Sequence, residues 1–316
     1  MLIVFLLKRL GLTALTVICA TFLTFLMVRM TPGDPAELIL RKVFVGMEAY
    51  NADQTSKKAI EHRFGLSLPL YRQYGTWLFN AIRGNFGYSF RSGQRVIEEI
   101  SLRIWPTLVL SFTAVGLSFI MTLIFGTMMS LVRYPFIKRI LDTGIVASIA
   151  VPNFYLALML ILIFSIYLDF LPISGYGGLA YFTLPVTTLA LTLFGYTTTI
   201  LNDAVTNIRG QEFILTARGK GLNPFSIFYR HILRNAMVPV VPYVALQLGY
   251  ALGGVVIVES VFAWPGIGTY LVTSIQTRDM PAIQACITFI ALSFSLANVL
   301  ADLTVWWLDP RVRLSV

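Results

Sequence analysis

Charged side chains are scarce in this sequence of 316 residues. Asp, Glu, Lys and Arg make up 12% of it, whereas they make up about 25% of a typical soluble domain. Hydrophobic residues account for 57%, and the mean hydropathy is +0.76. This composition excludes an ordinary globular enzyme and indicates a protein that is embedded in a lipid bilayer.

Cysteine and histidine are almost absent, which excludes several kinds of site. Both cysteines, Cys19 and Cys286, lie inside apolar runs, so the sequence has neither a disulfide framework nor a CxxC motif. The two histidines, His62 and His231, fall on opposite sides of the predicted membrane topology and cannot face one site. We therefore predict no metal site in this chain.

Motifs of nucleotide-hydrolysing and membrane enzymes are missing as well. The segment 219–221 (GKG) lacks the Ser or Thr that completes a Walker A motif. The sequence has no HExxH, no GxSxG and no pair of carboxylates spaced for catalysis. The chain is therefore predicted to catalyse no reaction and to bind no cofactor itself.

What the sequence does contain is a set of long uncharged stretches. A membrane-spanning helix needs about 20 apolar residues. The first stretch is longer than the apolar part of a signal peptide and no cleavage site follows it, so it is interpreted as a retained helix. The six predicted spans are 10–28, 104–132, 143–168, 184–200, 238–258 and 280–301.

Basic residues between these stretches set the orientation. The net charge of +9 is spread over short loops rather than clustered on one polar domain, so no nucleic-acid partner is predicted. The short loops on one side of the membrane are basic, whereas the short loops on the other side contain Arg278 as their only basic residue. Because basic short loops stay in the cytoplasm, both termini are predicted to be cytoplasmic. The predicted fold class is an all-α integral membrane protein with about six transmembrane helices, in the bacterial inner membrane.

The predicted organisation follows from these spans. The parts are a first transmembrane helix (1–30), a small extracytoplasmic domain (31–103), a transmembrane core of five helices (104–307) that includes a cytoplasmic loop (207–237), and a cytoplasmic tail (308–316). Within the outer domain, 53–64 and 70–82 are predicted helices. The second of these places Tyr74, Trp77, Leu78 and Ile82 at helical spacing, on a face that docks on the membrane or on the bundle.

The cytoplasmic loop is patterned as two short helices. The first, 212–220, is predicted to stop at Gly221, because glycine tolerates a left-handed backbone. Asn223 is the predicted N-cap of the second helix and Pro224 its first residue. Phe225, Phe228 and Ile232 are predicted to share one face. Two interpretations stay open: this face packs on the membrane or the bundle, or it docks into a groove on a cytoplasmic motor protein.

Several segments, taken in order, resemble one family. In the loop they are 216–222 (TARGKGL), 230–236 (RHILRNA) and Pro239; elsewhere they are 31–35 (TPGDP), 84–89 (GNFGYS), 151–154 (VPNF), 171–172 (LP), 259–268 (ESVFAWPGIG) and 309–311 (DPR). Together they resemble the ABC-importer permeases of the dipeptide, oligopeptide and nickel branch. One departure is 215–217 (LTA), where the wider importer family has Glu-Ala-Ala.

The resemblance implies an assembly and a contact surface. The implied partners are a second homologous permease chain, two cytoplasmic ATPase subunits that bind ATP and Mg, and an extracytoplasmic solute-binding protein. Contact with the ATPases is expected through the cytoplasmic loop. The residues assigned to this contact are Ala217, Arg218, Gly221, Leu222, Asn223, Pro224, Phe225 and Phe228.

A second group of residues is predicted to line the pore or its external gate. These are Pro152, Asn153, Glu259, Trp264, Pro265 and Gly266. A proline inside a span frees a backbone carbonyl, and in the structural interpretation the adjacent Asn153 amide satisfies that carbonyl or bonds across helices. The functional alternative is a kink at Pro152 that lets the helix lean during opening, with Asn153 facing the pore. An acidic group near a membrane is costly, so Glu259 is expected to face the interior, either as a gate residue or paired with a loop residue. The turn 264–266 is predicted to form a re-entrant plug.

Two further expectations concern packing and charge. Gly249 and Gly253 are four residues apart and are expected to permit close helix approach. Asp142, Asp203 and Asp302 lie near the cytoplasmic ends of spans and are expected to pair with neighbouring arginines rather than to carry protons.

The cargo is the least determined property. The segments 73–78 (QYGTWL), 175–178 (GYGG) and 262–266 (FAWPG) are most similar to nickel or metal-chelate importers, so nickel, as a chelate, is the expected cargo. Di- and oligopeptides are the alternative. A secondary transporter driven by an ion gradient is the alternative from another class; it requires acidic residues at mid-membrane and an inverted repeat, and neither is evident.

Overall fold

The computed structural model describes residues 2–30, 68–132 and 134–308, and its regular elements are helices. The predicted helix 53–64 and all but the first residue of the tail lie outside these residues. The helices are α1 (Leu2–Met30), α2 (Leu70–Ile82), α3 (Val96–Leu131), α4 (Pro135–Ala150), α5 (Asn153–Ile161), α6 (Leu179–Arg209), α7 (Glu212–Gly219), α8 (Arg234–Val261), α9 (Ile267–Gln276) and α10 (Met280–Leu308). A π-helical stretch, Leu162–Tyr167, extends α5, and another, Ile227–Leu233, leads from the turn Pro224–Ser226 into α8.

The described helices confirm an all-α membrane protein. Five of them are long and apolar enough to cross a bilayer, and a sixth span results when α4 and Asn153–Tyr167 count as one broken span. The third predicted span is therefore wrong as a single helix, because its two halves are bent by 110°. Pro152 is the cause: it lacks an amide hydrogen and keeps Val151 in an extended conformation (φ −81°, ψ 122°).

The centre of the bundle is formed by α3, α6 and α8. Its main cluster joins Leu110 and Ala114 of α3 to Leu189 of α6 and Val255 of α8, all of them buried. On the outside, α10 packs along α8, and α1 packs along α10. Arg9 of α1 and Asp302 of α10 form an ion pair of 2.5 Å, which confirms the pairing expected for Asp302. Asp142 and Asp203 form no ion pair with another described residue, so the expected pairing is not made there.

Close helix contacts are made at glycines. At Gly249 a Cβ atom would lie 3.0 Å from the ring of Phe294 of α10, which confirms a close approach there. Gly253 has nothing within 4 Å of an added Cβ atom, so the expected packing role is wrong for this residue. Its side of α8 is exposed in the described chain.

Helix α6 also approaches α4 closely at Gly195. A Cβ atom there would lie 2.9 Å from the Ile145 carbonyl oxygen, so backbone would have to move. Gly195→Ala is expected to destabilise the chain by about 1–3 kcal/mol, as overpacking usually does. The matched control is Gly144→Ala on α4, where nothing lies within 4 Å. Thermal unfolding of both variants in detergent checks this; equal melting temperatures would contradict it.

Helix α2 is held against α1 by an aromatic side chain. The hydroxyl of Tyr74 donates to the Ile18 carbonyl at 3.1 Å and lies 2.9 Å from the Thr21 hydroxyl. Its ring stacks on Trp77 with centroids 5.9 Å apart. Ile82, however, is 78% exposed, so the predicted face docks on the bundle through Tyr74 and Trp77 but not through Ile82.

Candidate functional site

The cytoplasmic loop begins with a helix that is closed by glycine. Helix α7 ends at Gly219, and Gly221 has a φ of +74°. The Gly221 amide donates to the Arg218 carbonyl at 2.9 Å, and the Leu222 amide donates to the Ala217 carbonyl at 3.3 Å. These bonds satisfy carbonyls that the helix end would leave free. The predicted stop at Gly221 is confirmed.

The next helical segment starts at a side-chain cap. The Asn223 side-chain oxygen accepts a hydrogen bond from the Phe225 amide at 2.9 Å. Pro224 occupies the first helical position, where its missing N–H costs nothing. Both local predictions are confirmed, and together with Gly221 they fix a sharp turn between α7 and the following segment.

The segment after this turn buries only part of the predicted face. Phe228 and Ile232 are buried in a cluster with Ile214 of α7 and Leu201 of α6. Phe225 is 64% exposed and lies off the side that Phe228 and Ile232 bury, so the prediction that all three share one face is wrong. It precedes the π-helical stretch, whose wider turn changes the spacing of side chains around the axis.

The loop therefore has an inner and an outer surface. Ala217 and Phe228, two of the eight residues assigned to ATPase contact, are buried and hold the loop on the bundle. Exposed on the outside are Arg218, Gly221, Leu222, Asn223, Pro224 and Phe225. Tyr229, which the sequence did not single out, extends this surface, because its ring lies 4.4 Å from that of Phe225. We call Leu222, Phe225 and Tyr229 the outer apolar surface; it is open to a partner.

At the other end of α8, the buried carboxylate of Glu259 accepts three hydrogen bonds. Glu259 has no exposed surface. Its Oε1 accepts from the Thr107 hydroxyl at 2.7 Å. Its Oε2 accepts from the backbone amides of Gly268 at 2.7 Å and Thr269 at 3.2 Å. The carboxylate thus caps the N-terminus of α9, where free amides and the helix dipole favour a negative charge.

Thr107 joins a third helix to this cap. Its hydroxyl accepts from the Ile267 amide at 2.9 Å while it donates to Glu259. In this geometry Glu259 faces the interior, as expected, and is held by Thr107 of α3 and the first turn of α9 rather than by a loop residue. Its assignment to the gate stays a prediction.

Two glycines leave the room that the carboxylate needs. A Cβ atom on Gly266 would overlap the Glu259 carboxylate. A Cβ atom on Gly268 would lie 2.5 Å from the Val256 Cα atom and 2.9 Å from the Glu259 Oε2 atom. Any larger residue at either position would displace α9 from its cap.

The turn before α9 is inserted into the bundle. Trp264 is 3% exposed, and its indole nitrogen donates to the Pro106 carbonyl at 3.1 Å. Its ring meets those of Tyr176 and Phe182, with centroids 4.8 and 5.5 Å away. Pro265 and Gly266 complete the turn, and the Gly266 amide donates to the Trp264 carbonyl at 2.8 Å. Together with α9 this turn forms an element that we call the plug.

Pro152 and Asn153 lie elsewhere, at the bend between α4 and α5. Pro152 is exposed and Asn153 is half-buried. The structure does not bring them to the plug, and their assignment to the pore remains a prediction.

A second buried carboxylate was missed from the sequence. Asp279 is 1% exposed and accepts hydrogen bonds from the Ser89 hydroxyl and from the amides of Phe90 and Arg91, at 3.0 and 3.1 Å. It joins the turn before α3 to the start of α10. The sequence feature that could have indicated it is its position directly before 280–281 (MP), where a helix begins.

Within the described ranges, no group of three or more His, Cys, Asp or Glu residues is placed to hold a metal ion.

Comparison with known proteins agrees with this architecture. The glutathione transport system permease protein GsiC of Escherichia coli strain K12 is 36% identical over 298 residues, which cover 94% of this chain and 95% of that protein. The protein of the same name from Shigella dysenteriae serotype 1 matches equally.

Two solved structures share the fold of about two thirds of this chain. An amino acid ABC transporter crystallised with histidines has a TM-score of 0.50 and 22% identity, covering 65% of this chain and 94% of its own. The MetNI methionine ABC transporter in an inward-facing conformation has a TM-score of 0.54 and 15% identity, covering 66% and 96%.

The family assignment rests on the core of the chain and on its full-length relatives. Residues 122–314 match the family described as binding-protein-dependent transport system inner membrane component. The resemblance drawn from short segments of the sequence is thereby confirmed. This chain belongs to that family, the permease subunits of ABC importers, in the branch that includes dipeptide, oligopeptide and nickel permeases.

Proposed function

We propose that this chain is one permease of an inner-membrane ABC importer for peptide-type solutes. The observation that carries the proposal is 36% identity, over 94% of the chain, to a permease named for glutathione, which is a tripeptide. The preference for nickel, drawn from three short segments, receives no such support. The peptide alternative drawn from the same sequence replaces it.

The proposed assembly contains a second permease chain, two ATPase subunits and a solute-binding protein. The family description supports a binding protein, and the shared fold with two ABC transporters supports ATPase partners. In this assembly the outer apolar surface is the contact for an ATPase. An apolar helix surface next to exposed arginines suits a groove on a partner protein.

Movement at this contact has a direct route to the extracytoplasmic side. Phe228 and Ile232 pack on Leu201 of α6 and lead without a break into α8. Helix α8 has 28 residues, which corresponds to a length of about 42 Å at the rise of an α-helix. Its far end carries Glu259, which caps the plug. We infer that a shift of the loop, driven by ATP binding, moves the plug through α8 as a rigid element.

A reconstituted complex with its ATPases and binding protein tests the cargo. We expect glutathione and dipeptides to stimulate ATP hydrolysis and uptake into proteoliposomes, whereas free nickel and a nickel–histidine chelate leave both at the basal rate. Stimulation by nickel or its chelate alone would refute the peptide proposal. Uptake that needs an ion gradient but no ATP would instead indicate the secondary-transporter alternative.

A further inference from the structure

A group of uncharged polar side chains lies at the middle of the bundle. Gln247 is near the midpoint of α8 and is 2% exposed. Its Nε2 atom donates to the Leu193 carbonyl of α6 at 2.8 Å, which puts the two helices at the same level there. Tyr243 and Tyr250 are one turn away from Gln247 on α8, and Tyr196 is one turn away from Leu193 on α6.

These side chains belong to one cluster. The hydrogen bond from Gln247 to the Leu193 carbonyl joins α8 to α6 at this level, so Tyr243 and Tyr250 of α8 and Tyr196 of α6 all lie within one helical turn of it. Tyr196 is 48% exposed and Tyr250 is 59% exposed, whereas Tyr243 is half-buried. The Gln247 Oε1 atom is buried and has no hydrogen-bond partner among the described residues. We call Tyr196, Tyr243, Gln247 and Tyr250 the tyrosine cluster.

Lipid tails are a poor environment for such a cluster. Tyrosine is enriched at the membrane–water interfaces, where its hydroxyl reaches water, rather than at mid-depth. A hydroxyl buried in hydrocarbon without a partner loses its hydrogen bonds with water. Polar groups at this depth usually face the bundle interior or a water-filled cavity. An aqueous path through the assembled transporter would supply the hydrogen bonds that lipid tails cannot.

We propose that the tyrosine cluster is a solute-contact site within that path, which binds the backbone amides and termini of a peptide. This rests on the proposed import of peptides. Each hydroxyl is both a donor and an acceptor, so the tyrosines match the alternating donors and acceptors of a peptide. The buried Gln247 side chain holds α8 on α6 at this level. The charged residues of α6 and α8 (Asp203, Arg209, Arg234 and Glu259) lie towards the helix ends.

A neutral site of this kind is better suited to passing a solute along the path than to binding it tightly. A transport path must bind its solute strongly enough for entry and weakly enough for release. Neutral hydrogen bonds contribute modestly, and rings of tyrosine accept apolar side chains of any shape. The cluster is therefore expected to tolerate many peptide sequences, while selection is left to the binding protein.

Removal of the hydroxyl groups tests the contact. Tyr196→Phe, Tyr243→Phe and Tyr250→Phe keep the rings, and each is expected to lower kcat/KM for peptide uptake by about two- to tenfold, as the loss of one hydrogen bond does. Tyr167→Phe is the matched control, because Tyr167 is an exposed tyrosine of the π-helical stretch after α5, outside the cluster. Peptide uptake by the triple variant equal to that of Tyr167→Phe would overturn the proposal.

Labelling of a cysteine tests the path independently of the cargo. Tyr250→Cys is made in a chain whose Cys19 and Cys286 are replaced by serine, and the assembled complex is treated with a charged thiosulfonate reagent, without nucleotide and in an ATP-trapped state. Labelling in either state that saturating peptide prevents supports the proposal. Labelling that peptide never prevents shows a path but overturns the peptide contact, even where peptide stimulates ATP hydrolysis.

Two further outcomes of the labelling overturn the proposal as well. Absence of labelling in both states, with labelling of the isolated chain, would place the cluster at the contact with the second permease. Absence of labelling in every sample would place it against lipid. Failure of the cargo proposal is recognised separately, because no peptide would then stimulate ATP hydrolysis in the complex with unaltered tyrosines.

Discussion

Glu259→Ala is expected to destabilise the assembled permease by about 3 kcal/mol or more, since it leaves several buried donors without an acceptor. The donors are the Thr107 hydroxyl and the amides of Gly268 and Thr269. Without the carboxylate, α9 also loses the charge that caps its N-terminus. The measurement is thermal unfolding of the purified complex in detergent, together with the amount of folded chain in the membrane.

Two variants make this result specific. Ser260→Ala removes a neighbouring exposed hydroxyl whose hydrogen bond, among the residues that the structure describes, is to the Val256 carbonyl of its own helix. It is expected to leave the melting temperature unchanged. Glu259→Gln keeps one acceptor oxygen and is expected to fall between the two. A Glu259→Ala melting temperature equal to that of Ser260→Ala would show that the cap does not hold the plug.

Phe225→Asp is expected to lower the rate of peptide-stimulated ATP hydrolysis at least about tenfold, while the chain stays folded. Phe225 is 64% exposed, so a charge there does not enter the core of this chain. In the proposed complex the same carboxylate is buried against an ATPase without a partner, which costs at least about 1.4 kcal/mol, a factor of ten in equilibrium. The measurement is ATP hydrolysis with and without peptide in the reconstituted complex.

Two phenylalanines serve as comparisons for this variant. Phe136 is 74% exposed in the first turn of α4, away from the loop, and Phe136→Asp is expected to keep full stimulation. Phe228 is 3% exposed, and Phe228→Ala is expected to destabilise the chain by about 3–5 kcal/mol, as other core truncations of this size do. Full stimulation in Phe225→Asp would mean that the ATPase contact lies elsewhere.

Features set by neighbouring residues were predictable from the sequence. Membrane-spanning helices are visible in the sequence as long uncharged stretches. All of the predicted spans except the third correspond to single helices. The turn at Gly221, Asn223 and Pro224 was predictable because each residue acts on backbone groups within a few positions of itself.

Features set by distant contacts were not. The bend at Pro152 was placed correctly, but its angle depends on how α4 and α5 pack on α6. Asp279 meets Ser89, which is 190 positions away in the chain. The tyrosine cluster was not predictable for another reason. Spans are predicted from the absence of charged residues, and uncharged tyrosines and glutamines do not interrupt an uncharged stretch.

The cap at Glu259 also constrains how the chain is made. Its hydroxyl donor, Thr107, belongs to the second predicted span, whereas Gly268 and Thr269 are synthesised more than 150 residues after Thr107. During synthesis, Thr107 is therefore already in the bilayer before the fifth predicted span is inserted beside it. Only then does the next helical turn leave the ribosome and supply the remaining donors. Docking of the plug is therefore a late event of biogenesis, and a chain interrupted between residues 259 and 268 has the Glu259 carboxylate in the membrane without its backbone donors.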